Sequence, residues 1–84
     1  MQNKLFVGNL SWGITDDQLK EFFSTIGTVT EAKVIFDRMS GRSKGYGFVT
    51  FESEEDAAKA VEELDGKDFD GRDINVSIAR PREE

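Results

Sequence analysis

Lys44-Gly45-Tyr46-Gly47-Phe48-Val49-Thr50-Phe51 is the stretch on which the fold turns. Period-two alternation places Gly45, Gly47, Val49 and Phe51 on one face of a strand and Lys44, Tyr46, Phe48 and Thr50 on the other. With Val49 and Phe51 facing a core, two aromatic rings face away from it. Residues 4–10 read the same way, with Leu5 and Val7 on one face and Lys4, Phe6 and Gly8 on the other. Residues 29–36 are rich in β-branched and apolar side chains and set Ala32 and Val34 opposite Lys33 and Ile35, a further strand.

Working outward, Thr15 followed by Asp16, Asp17 and Gln18 is a capping box with acid in the first turn. Leu19, Phe22, Phe23 and Ile26 then recur at i, i+3, i+4 and i+7. This predicts an amphipathic helix ending in a left-handed C-cap at Gly27. Ser53 opens a second helix, striped by Ala57, Ala60, Val61 and Leu64 and closed by Asp65-Gly66. Asp70-Gly71 signals a hairpin between residues 67–69 and a last strand, 74–79, with Ile74, Val76 and Ile78 toward the core. Residues 37–43, centred on Ser40-Gly41, read as a polar, partly basic turn, and Pro81 begins a charged tail.

The order strand, helix, strand, strand, helix, strand predicts an α+β, ferredoxin-like βαββαβ domain over residues 1–80, with a short tail at 81–84. It has a four-stranded antiparallel sheet and two helices on one face. Two helices with one apolar stripe each cover only one side of such a sheet. Phe6, Tyr46 and Phe48 all point to the other side, where they form a stacking surface for flat ligands.

Composition narrows the chemistry. The 84 residues contain no His and no Cys, which removes thiolate nucleophiles, disulfides, Cys-ligated zinc and the imidazole base or ligand. A binding module is expected rather than an enzyme, with no cofactor and no metal. The acidic run at 52–56 radiates around a helix start, where it favours the helix dipole instead of converging on an ion. With no long apolar run and no cleavage site at the N-terminus, the expected setting is intracellular (bacterial cytoplasm, organelle or nucleus) and the expected state monomeric, without a membrane.

Two motifs now carry a resemblance. Residues 44–51 fit [KR]-G-[FY]-[GA]-[FV]-V-x-[FY] at every specified place. Leu5-Phe6-Val7-Gly8-Asn9-Leu10 fits its shorter companion, an apolar strand with an aromatic second and Asn-Leu at its end. From end to end the chain resembles the RNA recognition motif. It is most similar to the small single-motif kind of bacteria, plant organelles and glycine-rich RNA-binding proteins, although no glycine-rich tail is present. The resemblance implies single-stranded RNA, and secondarily single-stranded DNA, as the partner, with bases stacked on Phe6, Tyr46 and Phe48. It further implies a phosphate contact for Lys44, and RNA-backbone contacts for Ala79, Arg80 and Arg82 just after the last strand. Gly45 and Gly47 read as flat spots where a helix or neighbouring strand packs closely. The implied role is post-transcriptional regulation or RNA chaperoning.

A net charge of −6 opposes that reading until it is resolved along the chain. Residues 1–51 carry 6 basic and 5 acidic groups, residues 52–73 carry 3 and 10, and residues 74–84 carry 2 of each. The acid belongs to the second helix and the hairpin after it. Around the sheet face and its long turn stand Lys4, Lys33, Arg38, Arg42, Lys44 and Arg80 against Glu31 and Asp37. The alternative is a protein-interaction version of the same fold that binds a peptide; such members combine an acidic first helix with a degenerate aromatic surface. Here the aromatic set is complete and the acid lies mainly on the second helix. Trp12 and Met39 are further residues at the edge of the proposed surface, and Lys33 and Ile35 are expected on the outward face of the second strand.

Overall fold

The computed structural model describes residues 3–11, 13–36 and 43–79. Strand β1 (Lys4–Gly8) is followed by helix α1 (Asp16–Phe23), strands β2 (Val29–Phe36) and β3 (Ser43–Phe51) and helix α2 (Glu54–Leu64). Two short strands, β4 (Asp68–Phe69) and β5 (Arg72–Asp73), then precede β6 (Asn75–Ile78). The main sheet has the order β2-β3-β1-β6 and is antiparallel throughout. Leu5, Val7, Val34, Val49, Phe51 and Val76 are buried on its inner face against Leu19 and Phe23 of α1 and Ala57, Ala60 and Leu64 of α2. Both helices therefore cover one face, in a slab whose Cα atoms span 36 × 34 × 20 Å.

Local chemistry sets the helix boundaries. Gln18 N–H donates to Thr15 Oγ1 at 3.2 Å and Thr15 N–H to Gln18 Oε1 at 3.0 Å, closing the capping box. Removing it with Thr15→Ala is expected to cost about 1 kcal/mol in a denaturant titration, since it leaves a first-turn donor without its partner. The other end of α1 differs from the sequence reading. The helix stops at Ser24, whose backbone is right-handed, and the turn is held by Ser24 Oγ and Thr25 Oγ1 donating to the Lys20 and Phe22 carbonyls. Gly27 is not in the left-handed region. It serves close packing instead, because a Cβ there would overlap the Asp56 side chain of α2. Ser53 caps α2 as expected, accepting from Asp56 N–H at 3.2 Å, and Gly66 beyond its end has φ +82°.

Two further expectations are refined. β1 ends at Gly8 rather than at residue 10 because Asn9 has φ 60°, after which Leu10 N–H donates to the Gly45 carbonyl at 2.8 Å. The hairpin at Asp70-Gly71 is real, with φ 55° and 87° at its centre. It joins β4 to β5 in a separate two-stranded ribbon rather than to the last strand of the main sheet. Ile74, fully buried and hydrogen-bonded through its own backbone to Lys67 and Gly66, separates that ribbon from β6. The ribbon docks on α1 through Phe69, which stacks on Phe22 with centroids 4.1 Å apart and planes at 10°.

Both edge strands of the sheet carry a capped N–H. Asp16 Oδ1 at the start of α1 accepts from Val34 N–H of β2 at 2.7 Å. Asp65 Oδ1 at the end of α2 accepts from Val76 N–H of β6 at 2.8 Å. Each bond ties a helix end to the sheet and occupies a donor that an edge strand otherwise offers to another chain.

Candidate nucleic-acid interface

The register brings the outward side chains into rows across the strands. Lys33 of β2 lies opposite Phe48 of β3, which lies opposite Phe6 of β1, which lies opposite Ser77 of β6. One row away Tyr46, Gly8 and Asn75 are aligned, and on the other side Glu31, Thr50 and Lys4. Phe6, Tyr46 and Phe48 thus come together at the centre of the uncovered face, each half-buried. Phe6 lies 5.5 Å from Tyr46 and 5.8 Å from Phe48, and Tyr46 lies 6.4 Å from Phe48, centroid to centroid. The contacts of Phe48 with Phe6 and Tyr46 are edge-to-face, at 67° and 86°, the arrangement the ring quadrupoles favour. The rings therefore hold one another in place.

The cluster is flanked by cations. Lys4 Nζ stands 4.8 Å from the Phe48 centroid, within cation–π reach. Lys33 is exposed beside the same ring, and these two lysines with Glu31, Phe48 and Thr50 enclose a hollow of about 50 Å³. Ala79 lies just past β6, and its N–H donates to the Lys4 carbonyl at 2.8 Å, placing the chain exit at this same end of the sheet. Of the remaining expected contacts, Lys44 belongs to β3 but its side chain lies outside the described residues, as do Trp12, Arg38, Met39, Arg42, Arg80 and Arg82.

Gly47 is needed for strand packing: a Cβ on it would overlap the Lys33 carbonyl of the neighbouring strand. Gly45 answers a different need, with φ +84°. The acid is sided as the charge partition implies, with Glu54, Glu55, Glu62 and Glu63 exposed on α2 behind the sheet. The hairpin is an exception. Asn9 Nδ2–H donates to the Asp73 carbonyl, so the acidic ribbon meets the rim of the open face.

Residues that the sequence reading did not single out also line this face. Asn75 and Ser77 are outward positions of β6, recoverable from the alternation that placed Val76 inward. Asn9 and Arg72 are joined by a hydrogen bond across 63 positions, a separation with no local signal. Among the described residues no group of acidic side chains is arranged to hold a metal ion, and no helix is long and apolar enough to cross a membrane.

A four-stranded antiparallel sheet backed by two helices, with three clustered aromatics on its open side, defines a class of α+β binding module. The chain belongs to the RNA recognition motif family, whose profile matches residues 5–75, and that family is non-enzymatic. It is 54% identical over 82 residues to glycine-rich RNA-binding protein 4, mitochondrial, of Arabidopsis thaliana, covering 98% of this chain and 60% of that protein. Among solved structures, the crystal structure of RNA binding protein PG1 is 43% identical with a TM-score of 0.88, over 96% of this chain and 98% of that one. The structure of the Rna15 RRM with bound RNA (GU) is 30% identical with a TM-score of 0.85, over 96% and 86%.

Proposed function

We propose that this chain binds single-stranded RNA across the open face of its sheet, with bases stacked on Phe6, Tyr46 and Phe48. The observation that carries the reading is the three-ring cluster, oriented by its own edge-to-face contacts and left uncovered by either helix. Lys4 and Lys33, joined by Lys44, Arg42, Arg80 and Arg82, supply the phosphate contacts, and the backbone at Ala79 borders the strand of RNA. The relatives bear on the partner: one is named an RNA-binding protein of mitochondria, and another was solved with RNA bound. The module acts as a monomer, its sheet edges being capped by Asp16 and Asp65. Its setting is intracellular, and its role lies in post-transcriptional regulation or RNA chaperoning.

The test is fluorescence anisotropy with a labelled random octamer, single-stranded or annealed to its complement. Stacking needs bases that can be splayed out, so the single strand should bind and the duplex should not. Equal binding to both would overturn the reading. Few phosphates are met, so log K against log salt should fall with a slope near −2 if about three are neutralised, at about −0.7 per phosphate. A single-stranded DNA octamer run alongside reports whether the 2′-hydroxyl is read.

A further inference from the structure

Gly8 is the only outward position of β1 without a side chain, and it stands in register between Tyr46 and Asn75. It lines a hollow of about 470 Å³ beside Phe6 and Tyr46, within the size range of small-ligand sites. Phe6 leans over its floor, since a Cβ on Gly8 would lie 3.0 Å from that ring. Phe6 and Tyr46 wall one side, and Asn9, Arg72 and Asn75 form the polar rim. The hollow lies at the opposite end of the sheet face from Lys4.

Its one cation among the described lining residues is held in position. Arg72 is exposed on β5, and its Nη2 donates to Asn9 Oδ1 at 2.7 Å. Asn9 is oriented in turn, because its Nδ2–H donates to the Asp73 carbonyl at 2.7 Å and its backbone sits at φ 60°, a conformation Asn tolerates well. The guanidinium of this lining residue has donors beyond the one given to Asn9 and offers no acceptor. Asp70 and Asp73 are exposed on the same ribbon, an environment that disfavours a phosphate and suits the uncharged edge of a base. Guanine O6 and uracil O4 accept from such donors, whereas adenine N6 and cytosine N4 are themselves donors and meet the guanidinium donor to donor.

We propose that this hollow is a base-reading subsite that selects a keto-bearing base, guanine or uracil, over adenine or cytosine. Arg72 is the reading residue and Asn9 a positioning residue. The inference rests on the RNA-binding reading, and its test separates the two. The octamers GUGUGUGU and ACACACAC have the same phosphates and the same purine–pyrimidine alternation, and they differ in keto for amino at every base. The wild-type chain should bind the first about ten-fold more tightly, the usual scale of one good Arg–base contact. Arg72→Ala should bring the two within about two-fold of each other by lowering GUGUGUGU affinity more than ACACACAC affinity; Arg72→Lys, which keeps the charge but loses the planar fork, should do nearly the same. Asn9→Gly, which keeps the left-handed backbone, should lower the preference part of the way. Equal affinities in the wild type, or a preference that survives Arg72→Ala, would overturn the proposal. So would an equal loss for both octamers with a shallower salt slope, the sign of a phosphate contact. Binding of neither octamer would instead overturn the RNA reading itself.

Discussion

The triple variant F6A/Y46A/F48A is expected to lose single-stranded RNA binding while keeping its fold. Each base stacked on such a ring contributes roughly 1–3 kcal/mol by alanine substitution. Removing all three platforms takes away several kcal/mol even when the terms overlap, and a micromolar complex, worth about 8 kcal/mol, falls toward the millimolar range or beyond. The rings are half-buried on the face opposite the core, so none of the fifteen buried apolar side chains among the described residues loses its packing. The circular dichroism spectrum should therefore stay unchanged and the melting temperature move little. Retained affinity in a folded triple variant would mean that RNA is held somewhere other than the sheet.

The opposite pattern is expected of Phe23→Ala. Phe23 is fully buried at the junction of α1 with the sheet, 6.3 Å from Phe51 and 5.6 Å from Phe22, centroid to centroid. Truncating a buried Phe costs about 3–5 kcal/mol, from lost transfer energy and the cavity left behind. A domain of this size has roughly 4–13 kcal/mol in total, at about 0.05–0.15 kcal/mol per residue. Urea denaturation should thus show a midpoint much lower than that of the parent, or a chain already largely unfolded. Because Phe22 also stacks on Phe69 of the ribbon, loosening α1 should disturb the placement of Arg72 as well. A small shift in midpoint would show that the core is less dependent on this helix than its burial implies.

The contrast between these variants follows from one alternation. In residues 44–51 the inward positions became core, with Val49 and Phe51 fully buried, and the outward ones became the platform. That much was legible because a strand's side-chain period is two and the pattern is local. The capping box at Thr15 and the Asp70-Gly71 turn were legible for the same reason. What was not legible depends on contacts between distant residues. Gly27 looked like a helix terminator, yet it is required by Asp56 of the other helix. Asp16 and Asp65 looked like ordinary helix-end acids, and each caps a strand edge 18 and 11 positions away. The pairing of Asn9 with Arg72 needs the separate ribbon, which the sequence reading had merged into the last sheet strand.

The charge distribution has the same origin. Half of the acid between residues 52 and 73 is carried on α2, behind a sheet whose open side presents Lys4 and Lys33. At a Debye length of about 10 Å in 0.1 M salt, the open face of a 20 Å slab is largely screened from charge on its far side. The acidic ribbon is the part that reaches the rim of the open face, and there Arg72 is tethered through Asn9.

The most direct test of the central claim is a two-dimensional NMR titration of the whole chain with pooled short single-stranded RNAs. It should move the resonances of Phe6, Tyr46 and Phe48 and their neighbours Lys4 and Lys33, and leave the outer surface of α2 unmoved. Shifts confined to the two helices, with the three rings unchanged, would contradict it.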